Sequence, residues 1–179
     1  MTDIQVLRAA DRVASPWKNG GGVTREVASS PSGGGTSDFD WRISLADVAS
    51  GGPFSSFPGV DRVITVVEGE GMALTVDGVE TVIAERYRPF AFSGDATTDC
   101  RLLGGALVDF NVMTRRGVVD ARVDFVAEST TVSDTTLVIV FEGQATLNDV
   151  VLGPLDAALV TDGTVACDVQ GCAGVVTIS

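Results

Sequence analysis

Residues that can bind an anion are concentrated in the stretch PWKNGGGVTREV near the N-terminus. Lys18 carries a compact ammonium charge, whereas the guanidinium of Arg25 is planar and can donate two parallel hydrogen bonds to a carboxylate. Between them, Asn19 and Gly20 open a glycine-rich stretch whose backbone N–H groups can form a nest for an anion. Thr24 completes this first set of candidate ligand-binding residues. In the alternative interpretation, the glycines only permit a tight turn and Lys18 is solvated.

A second polar set lies where apolar and polar residues alternate. In WRISLAD the period of two places Arg42 and Ser44 on one face, where they would bind an anion if that face lines a cavity. Otherwise Arg42 pairs with a surface carboxylate, a contact that contributes little to stability. Asp109 and Asn111 share a face of their strand. Asn111 offers a donor and an acceptor and suits an amide or an imidazole, and Asp109 could orient Arg42 or Arg62.

The composition excludes several classes of function. The chain has no histidine, which removes the Ser-His-Asp triad, the Cys-His pair, imidazole acid-base catalysis and His-ligated metal sites. Cys100, Cys167 and Cys172 are too few for a disulfide framework and lack partners for a zinc tetrad, so we expect reduced, structural thiols. We therefore assign no catalytic residue, no metal ligand and no cofactor.

The charge balance excludes other partners. With 12 basic and 24 acidic residues, the net charge of −12 would repel nucleic acids and anionic membrane surfaces. No apolar run approaches the roughly 18 residues that a membrane-spanning helix needs, and the polar N-terminal sequence is not a signal peptide. We expect a cytoplasmic protein that binds neither nucleic acid nor membrane.

The basic pair Arg115 and Arg116 is expected in a solvated turn.

The elements that must position these residues are strands. Short alternating stretches, separated by turn signals such as Asp-Gly and Gly-Pro, predict an all-β fold with at most one or two short turns of helix. The low-complexity stretch SSPSGGGTS, residues 29–37, is predicted to be a mobile loop between two strands.

An internal repeat refines this prediction. VITVVEGEG at 63–71 resembles LVIVFEGQA at 137–145, and each is followed by a strand, a turn and a proline-containing block, as in half a jelly roll. The tandem resembles the cupin layout, with a Glu-Gly hairpin in each barrel, although valine, threonine and isoleucine stand where cupins carry metal-binding histidines. We predict a bicupin, two small jelly-roll β-barrels in one compact unit, with halves 1–120 and 121–179. In a variant of this arrangement, N-terminal strands are exchanged between the barrels.

Three longer strings resemble the HutD/Ves family of bacterial bicupin-like proteins. They are PWKNGGGVTREV, FDWRISLADV with the nearby GPFSSFPGVDR, and LVDFNVMTRRG, in matching order and spacing over most of the first two thirds of the chain. The resemblance implies a compact bicupin, often dimeric, whose members frequently accompany histidine-utilisation genes and have no established reaction. It also implies that the protein senses or limits flux by binding a small carboxylate such as urocanate or formylglutamate.

The combined expectation is a metal-independent protein that binds a small carboxylate in one barrel and forms a homodimer. The expected ligand-binding residues are Lys18, Asn19, Gly20, Thr24, Arg25, Arg42, Ser44, Arg62, Asp109 and Asn111. The alternative is a lyase or isomerase acting on a small carboxylic acid, with Lys18 as base or Schiff-base former. That role requires Lys18 to lose its charge, which burial beside Trp17 would assist.

Overall fold

The structure, a computed structural model, describes residues 2–32 and 38–179. In these ranges it contains strands and one short 3-10 helix, Ala9–Asp11, which confirms the predicted all-β class. In chain order the strands are β1 (Asp3–Leu7), β2 (Ala14–Pro16), β3 (Gly22–Ser30), β4 (Trp41–Val48), β5 (Gly52–Phe54), β6 (Val60–Glu68), β7 (Met72–Val76), β8 (Val79–Ile83), β9 (Phe90–Ser93), β10 (Thr98–Leu102), β11 (Leu107–Arg115), β12 (Ala121–Val126), β13 (Thr130–Ser133), β14 (Thr136–Leu147), β15 (Val150–Leu152), β16 (Ala157–Asp162) and β17 (Thr164–Ile178).

The low-complexity stretch predicted to be a loop begins within a strand. Of the predicted loop, Ser29 and Ser30 belong to β3, and residues 33–37 lie outside the described residues. Across the described part of the chain, we find no helix with the length and hydropathy of a membrane span.

The chain forms two compact units. The middle unit is Val13–Val119, and the terminal unit combines Met1–Arg12 with Asp120–Ser179. The terminal unit therefore takes its strands from both ends of the sequence, because β1 pairs with β16 along Asp3–Leu7.

The middle unit consists of two antiparallel sheets. The six-stranded sheet has the order β2-β3-β4-β11-β6-β9, and the four-stranded sheet has the order β5-β10-β7-β8. One apolar cluster joins them, with Ile64 and Val66 from the first sheet and Met72 and Leu74 from the second, all fully buried. Two sheets that share one core are the arrangement expected of a jelly roll.

The terminal unit is a single seven-stranded sheet. Five strands follow the order β1-β16-β14-β17-β12, and in addition β13 pairs with β17 and β15 pairs with β14. Its apolar cluster includes Val138 and Val140 from one end of β14 and Ala145 and Leu147 from the other. The long strand must therefore bend so that both of its ends contact one core.

The two Glu-Gly motifs lie at corners and not at the hairpin tips that the repeat predicted. Since β6 and β7 belong to different sheets, residues 68–71 carry the chain from one sheet to the other. Gly69 and Gly71 have φ of 97° and 105° there, and Gly143, inside the continuous β14, has φ of 78°. Glycine reaches such positive φ values without a steric penalty, and this allows the backbone to turn a corner within a barrel wall.

Candidate functional site

Three adjacent strands of the six-stranded sheet direct a polar cluster to one face. In the pairing of β4, β11 and β6, Arg42 and Arg62 both lie opposite Met113 and therefore flank it. One step further along the strands, Ser44 lies opposite Asn111. Side chains on one face recur every second residue, so these rows follow from the registers of the strands.

These rows line a cavity of about 820 Å³. It occupies the polar end of the middle unit, while Val48, Ile64 and Val66, further along β4 and β6, belong to the apolar cluster. A volume of this size is typical of small-molecule sites. Eight sequence-predicted residues line it, namely Lys18, Asn19, Thr24, Arg42, Ser44, Arg62, Asp109 and Asn111.

The guanidinium of Arg42 is held on one side only. A β-bulge at Val27 leaves Glu26 opposite Ser44, and Arg42 Nε donates a hydrogen bond to Glu26 Oε1 at 2.9 Å. Within residues 2–32 and 38–179, no group pairs with Arg42 Nη1 or Nη2. These terminal nitrogens are a pair of parallel donors of the kind that binds a carboxylate.

Arg62 is buried among aromatic rings. Its side chain is 6% exposed, and its Cζ lies 5.0 Å from the ring centroid of Phe92, 5.2 Å from that of Phe57 and 5.8 Å from that of Phe54. Nη2 donates to Asn111 Oδ1 at 2.8 Å, and Nε has no hydrogen-bond partner in the described structure. Burial lowers the pKa of the Arg62 guanidinium to about 10, so it stays charged at neutral pH.

Asp109 is the innermost polar group of the cluster and is only 1% exposed. Its Oδ1 accepts a hydrogen bond from Asn111 Nδ2 at 2.7 Å, and its Oδ2 has no partner among the described residues. Burial raises the pKa of Asp109 to about 7, against the opposing effects of Arg62 and of the Asn111 hydrogen bond. Asn111 thus connects the acid to the guanidinium of Arg62.

The glycine-rich segment forms the turn between β2 and β3 at the cavity rim. The N–H of Gly20 donates to the Trp17 carbonyl at 3.1 Å, and the N–H of Gly21 donates to Asn19 Oδ1 at 2.8 Å. Both groups are satisfied within the turn, which corrects the expectation that they form an anion nest. The side chain of Lys18 is exposed and lacks the burial that an uncharged lysine base requires.

Two sequence-predicted residues do not line the cavity, Gly20 and Arg25. Adjacent residues on a strand point to opposite faces, so Arg25 faces away from the cavity while Thr24 faces it. Arg25 forms an ion pair with Asp47 of β4, and the hydroxyl of Thr24 accepts a hydrogen bond from Trp17 Nε1 at 2.7 Å.

Arg115 lines the cavity at the end of β11 and not in the solvated turn predicted for it, so it is a cavity residue absent from the predicted set. It ends β11 two residues after Met113, so the alternation that groups Asp109 with Asn111 extends to it. Its Nη2 donates to the Phe39 carbonyl at 3.1 Å. Its neighbour Arg116 is the exposed member of the pair.

The aromatic part of the wall was also missed. Trp17, Phe39, Phe54 and Phe57 all line the cavity. The sequence signal was the pair of phenylalanines in GPFSSFPG, which alternation alone does not assign to a face because the segment is mostly loop. These rings give the cavity an apolar surface beside its arginines, since Phe54 and Phe57 contact Arg62 and Phe39 contacts Arg115.

No metal centre is assembled in the part of the chain that the structure describes. Among the described side chains, no group of three or more Cys, Asp or Glu residues is close enough to hold a metal ion. Cys100 and Cys167 are free and buried, and burial raises the pKa of each thiol to about 11. Both are therefore neutral thiols at physiological pH.

Sequence relatives cover most of the chain. The model of the HutD family matches residues 9–177. A 21.2 kDa protein in the hutC 3′ region of Pseudomonas putida is 48% identical over 113 residues, 63% of this chain and 59% of that protein, which is less than two thirds of its length. A protein Ves of Cronobacter sakazakii is 36% identical over 151 residues, covering 83% of this chain and 82% of the relative.

Solved structures agree. HutD from Pseudomonas fluorescens SBW25, in a formate condition, has a TM-score of 0.87 and 37% identity over 99% of this chain and 98% of that chain. A cupin 2 conserved barrel domain protein from Leptotrichia buccalis has a TM-score of 0.61 and 9% identity over 93% and 92% of the two chains, a similarity of fold alone. Because the family model matches residues 9–177 and a relative is 36% identical over 83% of the chain, the chain belongs to the HutD family.

Proposed function

We propose that the middle unit binds a small carboxylate in its cavity. The observation that carries this proposal is the row in which Arg42 and Arg62 flank Met113. The Cα atoms of the two arginines are about 10 Å apart, two strand spacings, so their long side chains can converge on one carboxylate. Lys18 at the rim adds a further cation. In a protein with a net charge of −12, this local concentration of positive charge favours an anion at this place.

The remaining walls favour a ligand that also has a polar or planar part. Besides its bonds to Arg62 and Asp109, the Asn111 amide keeps a second N–H and a second lone pair, which suit an amide or an imidazole, and the aromatic rings suit a flat group. Among small acids, formylglutamate offers an amide, and urocanate offers a planar chain with an imidazole. We propose these two acids as candidate ligands, bound by arginine side chains without a metal ion.

The names of two relatives connect the protein with histidine utilisation. One relative is encoded in the hutC 3′ region, and a solved relative is named HutD. We propose that ligand occupancy lets the protein sense or limit flux through histidine utilisation. An enzymatic role for Lys18 is not favoured, because its side chain is exposed, whereas a lysine base needs burial among apolar groups.

Titration calorimetry with urocanate, formylglutamate, glutamate and formate tests the binding proposal. At least one acid is expected to bind the wild-type protein. Arg42→Gln should weaken its binding about tenfold or more, because a charge-assisted hydrogen bond contributes about 1.5–3 kcal/mol. Arg25→Gln is the matched control, since Arg25 is a partly exposed arginine on the adjacent strand that faces away from the cavity.

The control should bind as tightly as the wild type. If none of the four acids binds to protein with a native near-UV circular dichroism spectrum, the proposal is wrong. Equal losses in the two arginine variants would place the ligand elsewhere.

A further inference from the structure

Asp109 and Arg62 are opposite charges joined through one neutral amide. Arg62 Nη2 donates to Asn111 Oδ1 at 2.8 Å, and Asn111 Nδ2 donates to Asp109 Oδ1 at 2.7 Å. Arg62 and Asp109 are 6% and 1% exposed, so water screens their interaction only weakly. A change of charge at the Arg62 guanidinium must therefore change how readily the Asp109 carboxyl group ionises.

The surroundings of Asp109 have opposing effects on its protonation state. Burial favours the neutral acid, Arg62 favours the carboxylate, and Asp47 again favours the neutral acid. The result is a carboxyl group whose pKa, raised to about 7, lies near physiological pH. The titratable and charged side chains on the surrounding elements are Arg62 on β6, Arg42 and Asp47 on β4, Glu26 and Arg25 on β3, Asp99 and Cys100 on β10, and Lys18 in the turn between β2 and β3.

A bound anion would change this balance in one direction. A carboxylate on Arg42 and Arg62 offsets the guanidinium charge that favours ionised Asp109. It also adds a negative charge of its own on the cavity side of Asn111. Both effects oppose ionisation of Asp109, and nothing in the cavity compensates because the buried Oδ2 has no donor among the described residues.

We propose that the cavity binds its carboxylate ligand together with one proton, which Asp109 takes up. This inference rests on the proposed function and adds a second ligand, the proton, with its own binding residue. The proton comes from the solvent and stays on the carboxyl group while the ligand is bound. Asp109 thereby acts on affinity through Arg62 and Asn111, as a positioning residue that does not need to touch the ligand.

Coupling between proton uptake and ligand binding predicts the direction in which affinity changes with pH. In the free protein Asp109 is protonated below pH 7 and ionised above it, and in the complex it holds its proton to higher pH. Affinity should therefore be constant at acid pH. It should fall as pH rises above 7, by up to about tenfold per pH unit, until the complex also loses the proton. Ligand binding near pH 7.5 should then take up a fraction of one proton.

Calorimetry on the unaltered protein measures this proton directly. Formylglutamate and formate are suitable probes because neither titrates between pH 6 and 9, whereas the imidazole of urocanate does. The acid that binds more tightly is titrated at pH 7.5 in HEPES and in Tris, buffers with different ionisation enthalpies and without a carboxylate or phosphate group that would compete for the arginines. Proton uptake makes the observed enthalpy depend on the buffer, and the dependence should vanish at pH 6.

Asp109→Asn keeps the shape and the Asn111 contact but cannot titrate. It is expected to bind with an affinity independent of pH and of buffer, while Asp99→Asn, the same change at an exposed position on β10, keeps the wild-type profile. Binding without buffer dependence in the unaltered protein would overturn the inference and leave the proposed function intact. Absence of binding by both probes and by urocanate and glutamate would overturn both.

Discussion

Arg62 keeps its charge available because its neighbours are of a particular kind. A carboxylate in direct contact would neutralise a guanidinium, but Arg62 is held by one amide and by the faces of phenylalanine rings. Cation–π contacts stabilise a cation without cancelling its charge. The guanidinium can therefore attract an anion even though it is buried. Arginine suits this position better than lysine, since its charge survives burial.

Asp109→Asn should change how stability depends on pH. The unfolded chain loses the Asp109 proton near pH 3.9, whereas the folded protein holds it to about pH 7. Between these values the folded state binds more protons, so the wild-type free energy of unfolding falls as pH rises, by up to about 1.4 kcal/mol per pH unit from this group. Above pH 7 this contribution levels off. The asparagine variant lacks it.

Urea unfolding at pH 5, 6, 7 and 8 measures the effect. The unfolding free energy of the variant minus that of the wild type should rise with pH up to pH 7 and stay constant above it. Asp99→Asn serves as the exposed control. A difference that does not vary between pH 5 and 7 would contradict the prediction.

At the scale of elements, strand register and bulges bring the polar groups together. β4, β6 and β11 each contribute every second side chain to the cavity. The bulges at Val27 in β3 and at Val67 in β6 adjust which residues face each other, leaving Glu26 opposite Ser44 and Val66 opposite Asp109. A bulge re-aims a side chain without ending the strand, which is why such irregularities occur beside sites.

The corner before β7 provides a test of the barrel wall. Gly71 and Gly78 have similar positive φ values of 105° and 83°, so alanine at either position suffers backbone strain of about 1–2 kcal/mol. A Cβ on Gly71 would also collide with the Ile83 carbonyl, whereas a Cβ on Gly78 meets nothing within 4 Å. Gly71→Ala should therefore lower the unfolding free energy by about 1–3 kcal/mol more than Gly78→Ala.

Denaturant unfolding of the two alanine variants gives this comparison within one sheet. Equal losses in both variants would show that φ alone matters at the corner and that the Ile83 carbonyl can move aside.

At the scale of the whole molecule, the terminal unit depends on residues from both ends of the chain. Ile4 of β1 packs against the apolar cluster of that unit, and Arg8 forms an ion pair with Asp156 at 3.0 Å. The N–H of Ala9 also donates to Asp156, at 2.9 Å.

The homodimer implied by the family resemblance is a separate prediction for the whole molecule, which light scattering tests.

Deletion of residues 2–8 should destabilise the terminal unit. The deletion removes β1 from the edge of β16 and the partly buried Ile4 from the core, a loss of about 2 kcal/mol or more. Hydrogen exchange should then be faster at the amides of β16. Arg8→Gln, which removes the ion pair but keeps β1, is the control and should have a smaller effect. Unchanged exchange in β16 after the deletion would contradict the prediction.

The candidate site was predictable wherever it depends on a single strand. Alternation correctly grouped Arg42 with Ser44, and Asp109 with Asn111, because the direction of a side chain follows from its position in the strand. The same rule separates Thr24 from Arg25, which the sequence analysis had placed together. Applied two residues further along β11, it would also have found Arg115.

The all-β class and the faces of the strands could be read from the sequence, since both follow from local alternation and turn residues. The order of β4, β11 and β6, by which Arg42 and Arg62 flank one methionine although they are distant in sequence, became visible only in the folded chain. Strand order depends on contacts between residues far apart in the chain, which local patterns do not encode. The backbone of the turn before β3 and the burial of Asp109 were decided in the same way, by what the folded chain packs around them.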